Sequence, residues 1–196
     1  MLNYNFFNMK PIITFFMSFI LSYIVTGQQF QDEKEYQADN NTYKCRYRVS
    51  QSLGIHFFTF TNTQNVLQNM NTGIRGTPSK MPGIESNRKL LELLYEVYGG
   101  KEKMQAMGSE TIDLYCYIGM DFSVKELRIT LSSETENIKT TILQVEAIEN
   151  LVKERIRFIF DRESPYYTNA LYDTSSSHSY IISEIPAARP ASAAAR

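Results

Sequence analysis

Two stretches of strict alternation on either side of a short turn constrain the fold more than any other feature of the chain. Ile112, Leu114, Cys116 and Ile118 put apolar side chains at every second position, and Leu127, Ile129 and Leu131 do the same beyond Gly119-Met-Asp-Phe-Ser123. Period two marks a strand with one buried face. The runs 111–118 and 124–132 therefore read as an antiparallel hairpin whose wetter face carries Lys125, Arg128 and Thr130.

A second pair lies upstream. In the strand 42–50, Tyr43, Cys45, Tyr47 and Val49 share one face, while Lys44, Arg46 and Arg48 make a basic stripe on the other. Ile55 to Phe60 is its partner, with Ser52-Leu-Gly54 as the turn. The stripe reads as positive charge guarding an edge strand against aggregation. The functional alternative is contact with phosphate or an anionic sugar.

Elsewhere the apolar period lengthens to that of a helix. Leu90, Leu91, Leu94, Val97 and Tyr98 predict a helix over 86–98, with Ser86 as N-cap and Gly99-Gly100 as the stop. A short helix follows from Lys101 to Met107 and ends at Gly108. Val145, Ile148, Val152, Ile156 and Ile159 predict a long helix over 142–160, and Thr141 with Gln144 has the spacing of a capping box. A Tyr- and Ser-rich loop at 164–177 leads to a last strand over 180–185. The fold class is thus α+β: a mostly antiparallel sheet with helices packed on one face and an N-terminal hairpin added to it.

The first 27 residues are of another kind. They hold no Asp or Glu and one Lys, Lys10, ahead of an apolar run from Pro11 to Val25. That run is shorter than the roughly 20 residues a membrane helix needs, and it fits the apolar region of a secretory signal. Val25 and Gly27 are the small residues a signal peptidase requires, placing the cut between Gly27 and Gln28. The expected organisation is a signal peptide at 1–27, a flexible lead-in at 28–40, one domain at 41–185 and a low-complexity, disordered tail at 186–196. Localisation follows: exported, to the periplasm or the cell surface, with no stable membrane span once the signal is removed.

Export changes how the two cysteines read. An even count outside the cytosol suggests a disulfide, here Cys45 with Cys116, both on apolar strand faces. A bridge closing about 70 residues could stabilise by roughly 4 kcal/mol. Two separate buried thiols are the alternative. Neither cysteine has a neighbouring His, so a catalytic thiol is not indicated.

Site chemistry is sparse. His56 and His178 are isolated, and no metal-ligand spacing occurs, so neither a metal nor a cofactor is expected. Glu146, Glu149 and Glu154 read as the solvated face of the long helix, and Glu149 with Lys153 as a surface pair. Ser175-Ser-Ser-His178 brings hydroxyls near an imidazole without the orienting group a nucleophile requires. No catalytic residue is nominated. A net charge of −1 argues against a dedicated nucleic-acid binder. Tyr166, Tyr167, Tyr172 and Tyr180 cluster around the last loop and form the candidate binding surface.

The succession helix, strand, strand, long helix, strand over 101–185 resembles the C-terminal domain of TonB-type proteins. The Thr42-Tyr-Lys-Cys45 strand and the 111–132 hairpin also resemble small exported Bacteroidetes proteins of unknown function. The TonB resemblance implies peptide capture by strand addition at a sheet edge. The function expected is a non-enzymatic envelope module that binds a protein or peptide. The alternative is a glycan-binding protein or hydrolase using the loops 61–85 and 164–180.

Overall fold

The computed structural model describes residues 28–67, 84–119, 121–158 and 174–186 of the 196. Along the chain these form β1 (Gln28–Gln29), β2 (Glu35–Gln37), β3 (Thr42–Ser50), β4 (Ile55–Asn62), α1 (Ile84–Tyr98), α2 (Lys101–Gln105), β5 (Thr111–Ile118), β6 (Val124–Ser133), β7 (Asn137–Ile138), α3 (Ile142–Arg155) and β8 (Thr174–Ile181). A single 3₁₀ turn, Ile182–Glu184, follows β8. The expected signal peptide and nearly all of the tail lie outside the described residues.

Six strands make one sheet in the order β2-β3-β4-β6-β5-β8, antiparallel throughout. The hairpin β3–β4 extends the sheet beyond β6, and β1 pairs separately with β7. Alternation decides the faces. Tyr43, Cys45, Phe58, Phe60, Ile112, Leu114, Leu127, Ile129 and Leu131 are buried together with Leu90, Leu94 and Tyr98 of α1 and Val145, Ile148 and Val152 of α3. Each such aliphatic side chain contributes about 1.5–3 kcal/mol by leaving water. The helices thus cover one face of the sheet, as an α+β fold with a one-sided core requires.

Local signals account for the boundaries. Gly99 and Gly100 take φ of 77° and 99°, left-handed values that stop α1 where a side chain would be strained. Thr141 caps α3 through the full capping box with Gln144. This helix is shorter than its periodicity suggests. Ile156 is already extended and buried, Arg157 is exposed, and Phe158 is buried and bonds through its N–H to the Phe122 carbonyl at 2.9 Å. Apolar residues two apart serve a strand-like segment as well as a helix.

Two further expectations change. The segment 28–40 is built into the fold: Phe30 is 3% exposed and meets Tyr36 and Phe60 edge-on, each at 4.7 Å. The last strand begins at Thr174, inside the stretch read as a loop, because pairing along the whole of β5 outweighs the weak strand preference of serine.

Buried carboxylates tie loops to this frame. Glu146 accepts the Asp39 and Asn40 N–H groups at 3.0 and 2.9 Å. Glu110 accepts the Lys139 N–H at 2.8 Å and the Thr140 hydroxyl. Glu126 accepts the Val66 and Leu67 N–H groups at 2.7 and 2.9 Å. Each supplies acceptors to backbone donors that the sheet leaves unpaired.

Candidate functional site, a polar groove on the open sheet face

The face of the sheet opposite the helices is polar, and its residues follow from register. Across the strands, Glu35 stands beside Lys44, Lys44 beside Thr61 and Thr61 beside Arg128. In the next row on that face Arg46 stands beside Thr59, and Thr59 beside Thr130. Cross-strand partners share a face, so these rows place guanidinium, ammonium and hydroxyl groups side by side.

They line a groove of about 730 Å³. Four cations, Lys44, Arg46, Arg48 and Arg128, face two carboxylates, Glu33 and Glu35. Thr59, Thr61, Thr63 and Thr130 supply hydroxyls, and Asn62 and Asn65 also line it. The groove is therefore net basic on a chain whose net charge is −1.

Two of the cations are already engaged by one acid. Glu33 pairs through Oε2 with Lys44 and through Oε1 with Arg46 at 3.4 Å. The Lys44 ammonium, with smaller help from Arg46, holds the Glu33 carboxyl below the usual carboxylate range. Arg128 lies over the Tyr115 ring at 4.6 Å, a cation–π contact. The Arg48 side chain has neither an ion pair nor a hydrogen bond among the described residues. Thr59 and Thr130 share a hydroxyl contact of 3.1 Å on the floor.

The basic stripe is thus no edge guard. β3 is second in the sheet, and β2 covers its edge from Thr42 to Lys44. Beyond that, the Lys34 carbonyl takes the Cys45 N–H at 2.9 Å and the Asp32 carboxylate takes the Tyr47 N–H at 2.8 Å. Backbone and side-chain acceptors protect the edge, which leaves the cations to the open face. Arg128 and the threonines of β4 and β6 went unnominated. Their alternation with core residues marks the polar face, but only strand order shows that this face adjoins the stripe.

The other candidates disperse. Tyr166, Tyr167 and Tyr172 lie outside the described residues, as do most of the loops 61–85 and 164–180. Tyr180 faces the helices and donates its hydroxyl to Asn87 of α1, and burial pushes its phenol up to about 12. His56 stacks on Tyr47, whose hydroxyl lies 2.7 Å from Nδ1. His178 is half-buried beside Phe158, their rings 5.9 Å apart, and burial lowers its pKa. Ser177 and Ser179 are exposed on the opposite face from His178, so alternation separates those hydroxyls from the imidazole.

Glu146 and Glu149 are not on a solvated face. They are 4% and 1% exposed, and both are spent on hydrogen bonds to β-strand and loop residues. Glu154 is exposed as expected. The disulfide is not formed. Cys45 and Cys116 are both free and buried. They belong to β3 and β5, with β4 and β6 between them. Three strand spacings are about 14 Å, twice what a bridge can span between Cα atoms. Burial pushes both thiols up to about 12. Among the described residues no group of three or more His, Cys, Asp and Glu side chains gathers as a metal site. No described helix is long and apolar enough to cross a membrane.

Fold and groove together define a class: an α+β protein whose antiparallel sheet carries helices on one face and a net basic, hydroxyl-lined groove on the other. The chain is similar in fold to a DUF5043 family protein from Bacteroides uniformis, known from a crystal structure. The TM-score is 0.59 at 15% identity, covering 79% of this chain and 93% of that one. No family model and no curated protein matches the chain. At this identity the likeness carries the fold, which is that of a Bacteroides protein.

Proposed function

We propose that this chain is an exported, non-enzymatic binding module of the bacterial envelope, and that the groove on the open sheet face is its binding site for an anionic partner. One observation carries the reading: four cations and four threonines converge on a groove of about 730 Å³ that holds only two acids. Unneutralised cations in a partly enclosed polar cleft focus field on a ligand of opposite sign. Side chains from β2, β3, β4 and β6 converge on one cleft, and a rigid sheet fixes their spacing. The apolar run ahead of Gln28 supports export, and the fold shared with a Bacteroides protein supports a bacterial envelope as the setting.

The test is a titration of the isotope-labelled mature chain, from Gln28 onward, with polyglutamate, polygalacturonate and inorganic phosphate, followed by amide shifts. Salt-sensitive shifts confined to residues such as Lys44, Thr59, Thr61 and Arg128 are expected with at least one of these anions, and loss of them in the R48A/R128A double variant. Shifts spread over the helices, or none with any anion, would overturn the proposal. N-terminal sequencing of the chain from an envelope fraction tests export, with Gln28 expected first.

A further inference from the structure

We infer, resting on the reading of the groove as an anion site, that its occupant is an acidic peptide lying extended along β3 with carboxylates at alternate positions, and that Glu33 is the protein's own stand-in for one of them. Lys44, Arg46 and Arg48 alternate along one strand, so their side chains leave the same face about 6.8 Å apart. An extended peptide presents the side chains of one face with the same repeat. A run of acids at every second position therefore meets the three cations in register, whereas a cluster of consecutive acids meets them with half its charges turned away.

Glu33 shows what these cations accept. Its two carboxylate oxygens are divided between Lys44 and Arg46, one to each. It reaches them from a left-handed backbone, φ 56°, that a non-glycine residue rarely adopts. Its neighbours are anchored on either side: Asp32 accepts the Tyr47 N–H and the Lys34 carbonyl accepts the Cys45 N–H. The pair is also easily replaced. Glu33 and Lys44 side chains are each 48% exposed, and ion pairs in water contribute little. A ligand carboxylate that displaces Glu33 forfeits little and gains Arg48, which has no ion pair among the described residues.

The experiment is fluorescence anisotropy with two labelled peptides of equal composition, one alternating glutamate and threonine, the other with its glutamates in one block. Wild type, E33Q and R48A are compared, since both positions are exposed and the variants are expected to keep the fold, which circular dichroism checks. The alternating peptide is expected to bind at least threefold tighter than the block peptide. E33Q is expected to bind it about threefold tighter than wild type, and R48A at least threefold weaker. Equal binding of the two peptides, or E33Q no tighter than wild type, overturns the inference. If neither peptide binds while polygalacturonate or phosphate still shifts the groove amides, the inference falls and the anion site stands. If no anion shifts them, both fall.

Discussion

Tyr43 donates its hydroxyl to Oε2 of Glu149 at 2.5 Å, joining β3 to α3 across 106 positions of sequence. The same oxygen accepts the Asn62 amide at 3.1 Å, and Oε1 takes the Lys153 ammonium at 2.6 Å. One buried carboxylate thus holds two strands and a helix. Tyr43→Phe is expected to cost about 1–3 kcal/mol, since it strips a donor from a buried acceptor. Glu149→Gln is expected to cost as much, and the double variant less than the sum. Urea unfolding of the four proteins checks this. Strict additivity would mean that the contact carries no coupling. Burial, ahead of the nearby Glu149, holds the Tyr43 phenol far above its ordinary value.

The bonds from Glu146 to the 38–41 turn make a second case. Its oxygens accept the Asp39 and Asn40 N–H groups and the Asn41 amide at 3.0, 2.9 and 2.9 Å. Glu146→Gln replaces one acceptor oxygen with a donor that faces those groups. Hydrogen exchange at Asp39 and Asn40 is expected to accelerate at least tenfold, about 1.4 kcal/mol of lost local protection. Unchanged exchange there would show that β2 alone holds the turn.

What the chain discloses depends on which signal a residue carries. The alternation of Ile112, Leu114, Cys116 and Ile118 is enough to place β5, and the Thr141–Gln144 box enough to start α3. Glu146 and Glu149 were hidden by their charge. Spacing alone puts Glu149 four residues after Val145 and three before Val152, squarely on the buried stripe, but a carboxylate is read as solvated until its donors are known. Those donors come from β3, β4 and the 38–41 turn, which sequence cannot bring to the helix. The groove was half visible. The basic stripe of β3 was plain, yet Arg128 joins it only through the pairing of β4 with β6.

Phe30 was hidden for another reason: with Tyr36 the nearest aromatic, six positions on in a polar segment, it has no period to reveal it. In the fold it is 3% exposed and lies against Tyr36, Phe58 and Phe60. Phe30→Ala is expected to cost about 3–5 kcal/mol, the range for a buried aromatic. Thermal unfolding checks this, and a loss below 1 kcal/mol would return 28–40 to the status of a flexible lead-in.

The two cysteines give a prediction in which chemistry and linkage agree. Both side chains are 0% exposed, and their strands are separated by β4 and β6. The native chain is expected to react with a thiol reagent only as it unfolds, then to yield two thiols, and to migrate identically with and without reductant. Burial raises each thiol from 9.0 to about 12, with Asp32 and Glu33 adding to the effect at Cys45. The unfolded chain therefore gives up these protons near pH 9, while the folded chain keeps them until about pH 12. Between those values the unfolded state binds fewer protons, so stability is full below pH 9 and falls as pH rises. The slope per thiol approaches about 1.4 kcal/mol per pH unit. Cys116→Ala also opens a small cavity, so the informative quantity is the change of stability between pH 8.5 and 10.5, not its absolute value. The variant is expected to lose less over that interval than wild type. An equal loss in both proteins would mean that Cys116 ionises as readily folded as unfolded, which a thiol sealed between the sheet and the helices does not do.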